Sequence, residues 1–379
     1  MSWRTSPPFR ADHVGSLLRP PELIAAREAV AAGRSSPEEL RAAEDKAVRD
    51  AVAMQNDVGL PVVTDGELRR SAWQTDFVDR LDGVARGGPT GNMAHDREGN
   101  AVEYRTQRLE IVGRLGLREV IFASDFRFLQ SVAGPATPKL TIPSPSMLHT
   151  MRAAPDPSIY PDPGLFLEDV ASAYGAQIRG LAELGCRYLQ LDDTVFAFLN
   201  DPAWRERVSA NTGKDLDRQH EVNIEVINRA LANRPEQLTV VVHMCRGNFQ
   251  SAWFSSGGYD HVAEQVFSRL AVDGFFLEYD DERSGSFEPL QFVPPGKVVV
   301  LGLVTTKVGR LEAKDDLKRR IEAASKFVPL EQLCLSPQCG FASTIEGNKL
   351  SFEQQRAKLR LVVETAEEVW GSNQLGRSP

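Results

Sequence analysis

Cysteine is scarce in this chain: Cys186, Cys245, Cys334 and Cys339 are the whole complement in 379 residues. A secreted disulfide scaffold is shorter and far denser in cysteine, so that class is excluded. Long apolar runs are lacking too. No stretch reaches the roughly 18 uninterrupted apolar residues of a membrane span. The opening MSWRTSPPFRADHVGS lacks the apolar core of a secretory signal. Basic runs interleaved with aromatics are absent, and the formal net charge is -8, which excludes a nucleic-acid scaffold. The GxGxxG fingerprint after a first strand is missing, which argues against a dinucleotide fold. The expectation is a cytoplasmic protein with no membrane or nucleic-acid partner, its thiols reduced and free for metal or catalysis. A homo-oligomer stays open.

The rest of the composition is that of a globular chain. Hydrophobic residues make up 42% and charged residues 25%, so a core of ordinary size forms without disulfide staples. Short β-branched runs alternate with longer amphipathic ones. Strands are expected at 9–16, 60–65, 137–142, 188–191, 238–244, 274–279, 298–304 and 333–336. Helices are expected at 21–32, 37–58, 166–184, 217–232, 261–271, 314–325 and 352–370. Runs such as 239–242 and 298–301 are apolar at every position, the mark of a parallel sheet covered on both faces. About eight β-then-α units predict an α/β fold of the (β/α)8 TIM-barrel type, with a doubly wound sheet as the alternative. The Gly-, Asn- and charge-rich stretch near 83–115 reads as an inserted surface excursion, with a hairpin involving 104–115. The whole of 1–379 is expected to be one catalytic unit.

The segment VVVHMCRGNF places His243 and Cys245 at the end of a buried strand. Residues i and i+2 of a strand share a side, so both side chains reach one point. In a barrel the C-terminal strand ends carry the active site. GFFLEYDDE puts Glu278 at a second strand end, and LCLSPQCGFAS puts Cys339 just past another. One nitrogen, two sulfurs and one oxygen suit zinc. Taken alone, a His-X-Cys pair is more often packing than ligation; three strand ends converging shift that balance. Cys186 and Cys334 are assigned to the core, where cysteine is commonly buried.

Other strand ends offer a substrate pocket. Ser16 follows a glycine, where backbone N–H groups and a hydroxyl can hold a carboxylate; its bland alternative is a helix N-cap. Glu67 and Asp192 each end an apolar strand, where an ammonium would meet two negative charges; otherwise they are exposed strand-end acids. Asp193 competes with Asp192, since neighbours alternate faces. His13 is a catalytic candidate or, equally, a buried hydrogen-bonded histidine. Asp12, Asp65 and Trp73 are weaker pocket candidates.

These motifs resemble the catalytic barrel of the cobalamin-independent methionine synthases, in the short single-barrel form. The likeness rests on His243, Cys245, Glu278 and Cys339 for the zinc set. Val14–Gly15–Ser16 is similar to the family's Ile-Gly-Ser carboxylate motif. DGELRR around Glu67 and LQLDD around Asp192 resemble its two amine-binding segments. The resemblance implies an S-methyltransferase in which Zn2+ activates homocysteine as a thiolate, Glu278 is the exchangeable ligand, and methionine is the product. The donor side departs from the family. Gly134, Pro135 and Thr137 persist, but no tryptophan follows, and Thr305-Thr306-Lys307 stands where an Asp-X-His is expected. The methyl or alkyl donor is therefore open. Two alternatives remain: a zinc alkyltransferase acting on another thiol, of the epoxyalkane–coenzyme M transferase type, and a non-catalytic zinc-stabilised barrel. A basic residue beside the metal, such as Lys307 or Arg246, would favour a sulfonate thiol.

Overall fold

Runs that are apolar at every position can bury both faces only if the sheet is closed or covered on both sides. The computed structural model, which describes residues 4–96, 98–152 and 154–371, takes the first solution. Ten strands form: β1 Val62–Val63, β2 Asp82–His95, β3 Ala101–Gly116, β4 Thr137–Pro138, β5 Leu140–Pro143, β6 Tyr188–Asp193, β7 Thr239–Met244, β8 Gly274–Glu278, β9 Val298–Val304 and β10 Leu333–Pro337. A parallel sheet runs β10-β9-β8-β7-β6-β5. Its far edge continues through β4, which pairs with β1 in parallel. Its near edge continues through a parallel bridge between Ala11 and Leu335. Between the first segment and β1, Thr64 Oγ1 donates to the Gly15 carbonyl at 2.6 Å, and the Leu17 N–H donates to the Gly66 carbonyl at 3.0 Å. This is the (β/α)8 architecture expected from the pattern. The ends of the expected 1–379 unit lie outside the described residues. No helix among the described residues is long and apolar enough to cross a membrane.

The first strand is shorter than expected, reduced to the bridge at Ala11. Asp12 explains this: its carboxylate accepts the N–H groups of His13 at 2.8 Å and of Phe9 at 3.3 Å. Donors satisfied locally are not offered to a ladder. Helices fall where the amphipathic runs place them, and their starts are well marked. Pro21 and Pro37 occupy first-turn positions, and Ser36 with Glu39 forms a capping box. Besides three four-residue helices, two longer ones were not expected, Ala123–Val132 and Pro202–Thr212. The first begins at Phe122 with no capping side chain. The second is well marked by Asp201, Pro202 and Gly213, but it buries only Trp204, so it has no apolar stripe to reveal it.

Strand parity separates two cores. Val240, Val242 and Met244 of β7 join the large outer core beneath the helices. Val241 instead joins a small second core with Tyr188, Phe276, Val300 and Cys334. That cluster fills the barrel interior, and each buried aliphatic side chain in it contributes about 1.5–3 kcal/mol. The same parity carried two residues onward puts His243 above Val241, Asp192 above Gln190 and Glu278 above Phe276. Cys186 lies in the outer core and Cys334 in the inner one, both fully buried.

The excursion is a two-stranded antiparallel ribbon, β2 against β3. Such a ribbon is marginal alone, and it is tied at both ends. At the base Arg114 pairs with Asp169 at 2.6 Å, and the Leu115 N–H donates to the Tyr160 hydroxyl. At the tip His95 and Trp253 exchange backbone hydrogen bonds of 2.7 and 2.8 Å. Tyr104 packs on Phe249 at 4.5 Å and on Phe254 at 5.5 Å. The ribbon thus reaches the loop that follows Cys245.

Gly302 shows how tightly the strand ends are drawn together. A Cβ there would lie 2.7 Å from Gln338 Cα and 2.8 Å from the Leu277 carbonyl, both backbone atoms that cannot swing aside. Gly302→Ala is expected to cost about 1–3 kcal/mol, read as a lower midpoint in urea unfolding; an unchanged midpoint would contradict this packing.

Candidate metal centre and adjoining pocket

His243 and Cys245 come from the end of β7, Glu278 from the end of β8, and Cys339 from the turn after β10. One ligand atom from each lies within 4.8 Å of all the others, and all four residues are buried. The two sulfurs are 3.4 Å apart. A disulfide would place them about 2.05 Å apart, whereas two thiolates on one tetrahedral ion with bonds of about 2.3 Å sit near 3.7 Å. Both ring nitrogens of His243 and both carboxylate oxygens of Glu278 are buried without any hydrogen-bond partner. Buried polar atoms are otherwise paired almost without exception. Four orphaned atoms converging with two sulfurs fit a thiophilic dication with mixed S, N and O donors, and zinc matches that donor set.

The electrostatics show the same strain. Burial, and then the nearby Cys339, push the Glu278 carboxyl up to about 7. Its bond with Cys339 and its burial push the Cys245 thiol well up, while Cys339 is drawn well down by Cys245 and His243. Burial opposes charge on His243, but Cys339, Asp192 and Glu278 prevail and raise it. A dication would hold both thiols deprotonated.

A second set of side chains adjoins this cluster. Ser16 is no helix cap. A Cβ on Gly340 would lie 1.9 Å from its hydroxyl oxygen, so Ser16 sits directly on the Cys339–Gly340 turn, and a larger residue there would displace the hydroxyl. Glu67 has φ of 56°, a left-handed conformation that costs a non-glycine residue about 1–3 kcal/mol. Asp65 supports it by accepting the Glu67 N–H at 2.9 Å. One Glu67 oxygen accepts from Thr141 at 2.8 Å, and the other is buried with no partner. Asp192 accepts from Gln190 at 2.6 Å and lies level with His243 across the β6–β7 ladder. Burial pushes the Asp192 carboxyl up to about 7, with His243 opposing and Glu67 adding to the rise. Burial likewise raises Glu67. Arg70 lies 3.7 Å from the Thr141-bonded oxygen of Glu67 and opposes that rise; a further cation between the two acids would ease the burial of both. Asp193 points the other way, accepting from Ser146 and from the Phe196 N–H.

Other candidates take structural places. His13 is buried against Gln55 and the Val62 backbone; burial and Lys139 push its imidazole down to about 3, so it holds no proton to give at neutral pH. Asp12 is committed to Lys139 at 3.1 Å and Tyr188 at 2.8 Å. Trp73 bonds through its backbone to Ser343. Arg246 spends its guanidinium on the Gly257 and Glu278 carbonyls and the Tyr259 hydroxyl. Lys307, 8% exposed, reaches only the Gly247 carbonyl, at 3.4 Å. Sequence reasoning did not single out Arg19. Its guanidinium binds the carbonyls of Glu67, Arg70, Ala342 and Thr344, tying the Glu67 loop to the Cys339 loop. An arginine after a strand carries no sequence mark of that work.

The acid pair predicts a pH dependence. Burial raises the Asp192 carboxyl, and an ammonium there would need it ionised. Methionine affinity of the metal-loaded protein, followed by calorimetry, should therefore weaken as pH is lowered and Asp192 takes up a proton. A flat profile would remove Asp192 from the amine seat.

With this geometry in place, likeness to known proteins becomes informative. Residues 9–368 match the family described as "Cobalamin-independent synthase, Catalytic domain". The uncharacterised protein YxjG of Bacillus subtilis is 49% identical over 370 residues, covering 97% of this chain and 96% of that protein. A solved structure from Listeria monocytogenes, assigned there to the vitamin-B12-independent methionine synthases, superposes with a TM-score of 0.77 at 36% identity, covering 97% of this chain and all of that one. A B12-independent methionine synthase from Shewanella sp. W3-18-1, solved with selenomethionine, shares the fold with a TM-score of 0.70 at 21% identity, covering 95% and 97%. The chain belongs to the cobalamin-independent methionine synthase catalytic-domain family.

Proposed function

We propose that the chain is a zinc-dependent S-methyltransferase that methylates homocysteine to methionine, working as one catalytic unit over 1–379. The observation that carries this reading is the adjacency of the buried four-donor cluster, whose His243 and Glu278 atoms lack partners, to Asp192 and Glu67, one oxygen of which also lacks a partner. Zinc, when bound, keeps a substrate thiol as thiolate at neutral pH. The chain's own residues do the rest. Glu67 and Asp192 would hold the substrate ammonium, and Ser16 with the turn it rests on would hold the carboxylate. Glu278 is the hardest donor of the set and has no hydrogen bond fixing its oxygens. It is therefore the ligand free to yield to an incoming sulfur. The selenomethionine held by the Shewanella relative agrees with an amino-acid product. We place the enzyme in the cytoplasm, where thiols such as its four free cysteines stay reduced.

The donor stays open between a methylated folate, which the family resemblance suggests, and another methyl or alkyl compound. Lys307 near the cluster favours a second reading, alkyl transfer to a thiol bearing a sulfonate. The acid pair favours an amino-acid thiol instead, since a sulfonate thiol brings no ammonium to it. A non-catalytic zinc barrel would leave the acid pair without a purpose.

Three variants test the proposal. Cys339→Ser and His243→Ala should lose stoichiometric zinc together with homocysteine alkylation; full activity in zinc-free protein would contradict it. Glu67→Ala should keep zinc and raise the KM for homocysteine about ten- to a hundredfold; an unchanged KM would remove the amine assignment.

A further inference from the structure

A buried ammonium stands across the metal cluster from the acid pair, in the field of Glu278 and Asp280 but with no carboxylate close enough to pair with it among the described residues. Lys307 follows β9, which lies between the strands carrying Glu278 and Cys339. Its backbone is fixed there. The Thr306 hydroxyl donates to the Gly340 carbonyl at 3.0 Å, and Asn348 donates to the Thr306 carbonyl at 2.9 Å. The Lys307 ammonium reaches the Gly247 carbonyl at 3.4 Å, and the N–H of Gly247 itself donates to the sulfur of Cys245 at 3.2 Å. One residue thus separates the ammonium from a metal ligand.

The protein treats its other buried lysines differently. Lys139, with no exposed side-chain surface, pairs with Asp12 at 3.1 Å. Lys358, equally buried, pairs with Glu312 at 3.2 Å. For Lys307, 8% exposed, no carboxylate lies within 4.0 Å among the described residues. Leaving a cation desolvated and unpaired costs several kcal/mol. Such a cost persists where a ligand supplies the missing charge.

Position decides which ligand. Ser16, Glu67 and Asp192 come from the opposite arc of the ring, on the first segment, the loop after β1, and β6. A thiol seated there would present its sulfur between that arc and Lys307. Building on the thiol-alkylation reading above, we infer that Lys307 binds an anionic group (a carboxylate, sulfonate or phosphate) of the molecule that delivers the alkyl group, and so selects an anionic donor.

A charge-matched pair of electrophiles tests this with the zinc-loaded chain and homocysteine. Iodoacetate and iodoacetamide share the reacting carbon and leaving group, and differ in a carboxylate. In each, the S–C bond forms as iodide departs with the C–I electron pair. The rate ratio of the two S-alkylhomocysteines is compared with that of free homocysteine thiolate. Wild type should favour iodoacetate about tenfold beyond the solution ratio. Lys307→Met should return the ratio to the solution value, and Lys307→Arg should keep most of the preference. A ratio unchanged by Lys307→Met overturns the inference and leaves Lys307 a counter-charge to the thiolates. So does a loss confined to binding of 2-mercaptoethanesulfonate against 2-mercaptoethanol, which would assign the anion to the thiol. Calorimetry with methanesulfonate reads the anion seat without any reaction. Binding lost in Lys307→Met and kept in Lys307→Arg upholds the seat even where homocysteine alkylation fails, a failure that would sink the proposed function instead. No binding to wild type counts against the seat.

Discussion

Burying polar atoms without partners is among the most costly things a fold can do, and this one gathers four of them on two neighbouring side chains, His243 and Glu278. His243, Glu278, Cys245 and Cys339 converge at the rim of an apolar barrel interior, and the nitrogen and oxygen atoms among them have no protein partner. Each uncompensated group costs about 1–3 kcal/mol, and more when charged. Strand parity creates the convergence: the side of β7 that sends Val241 into the inner core sends His243 to the mouth. Much of the surrounding architecture holds this arrangement. Gly302 lets backbone approach where a methyl group would collide, Gly340 leaves room for the Ser16 hydroxyl, and Arg19 ties two loops together through four carbonyls.

The neighbouring acids follow the same logic with opposite chemistry. Glu67 is held in a left-handed backbone conformation and faces Asp192 in a buried setting where both resist ionisation. The His243 and Glu278 atoms lack partners, Glu67 has only Arg70 at 3.7 Å against its charge, and Lys307 has no carboxylate within 4.0 Å among the described residues. The proposed reactants, a thiol amino acid and an electrophile from the far side, would answer these charges. The long ribbon β2–β3, tied to Trp253 at its tip, packs Tyr104 on the loop that leaves Cys245.

Much of this was legible in the sequence because period-two spacing is rigid. His243 and Cys245, two apart on an all-apolar strand, had to share a side. Glu278 and Cys339 could be joined to them only through the barrel, whose C-terminal strand ends meet, and the family resemblance added weight, since no local rule links strands 30 or more residues apart. The barrel strands were legible as apolar runs, apart from the first, where the Asp12 side chain takes the donors a ladder needs. The helix Ala123–Val132 carries no start signal, because its N-cap is Phe122. The left-handed turn at Glu67 and the carbonyl clamp of Arg19 were hidden, because both depend on chain segments that meet only in the folded state. The isolation of Lys307 was hidden for the same reason: a lysine reveals its missing partner only once its neighbours are placed.

The central claim is that the cluster holds zinc and exchanges one oxygen for a substrate sulfur. Zinc-edge X-ray absorption on the loaded protein, with and without homocysteine, tests it most directly. The account predicts that the sulfur of homocysteine joins those of Cys245 and Cys339 in the zinc shell, with loss of a light-atom neighbour. An unchanged shell at saturating homocysteine would contradict it.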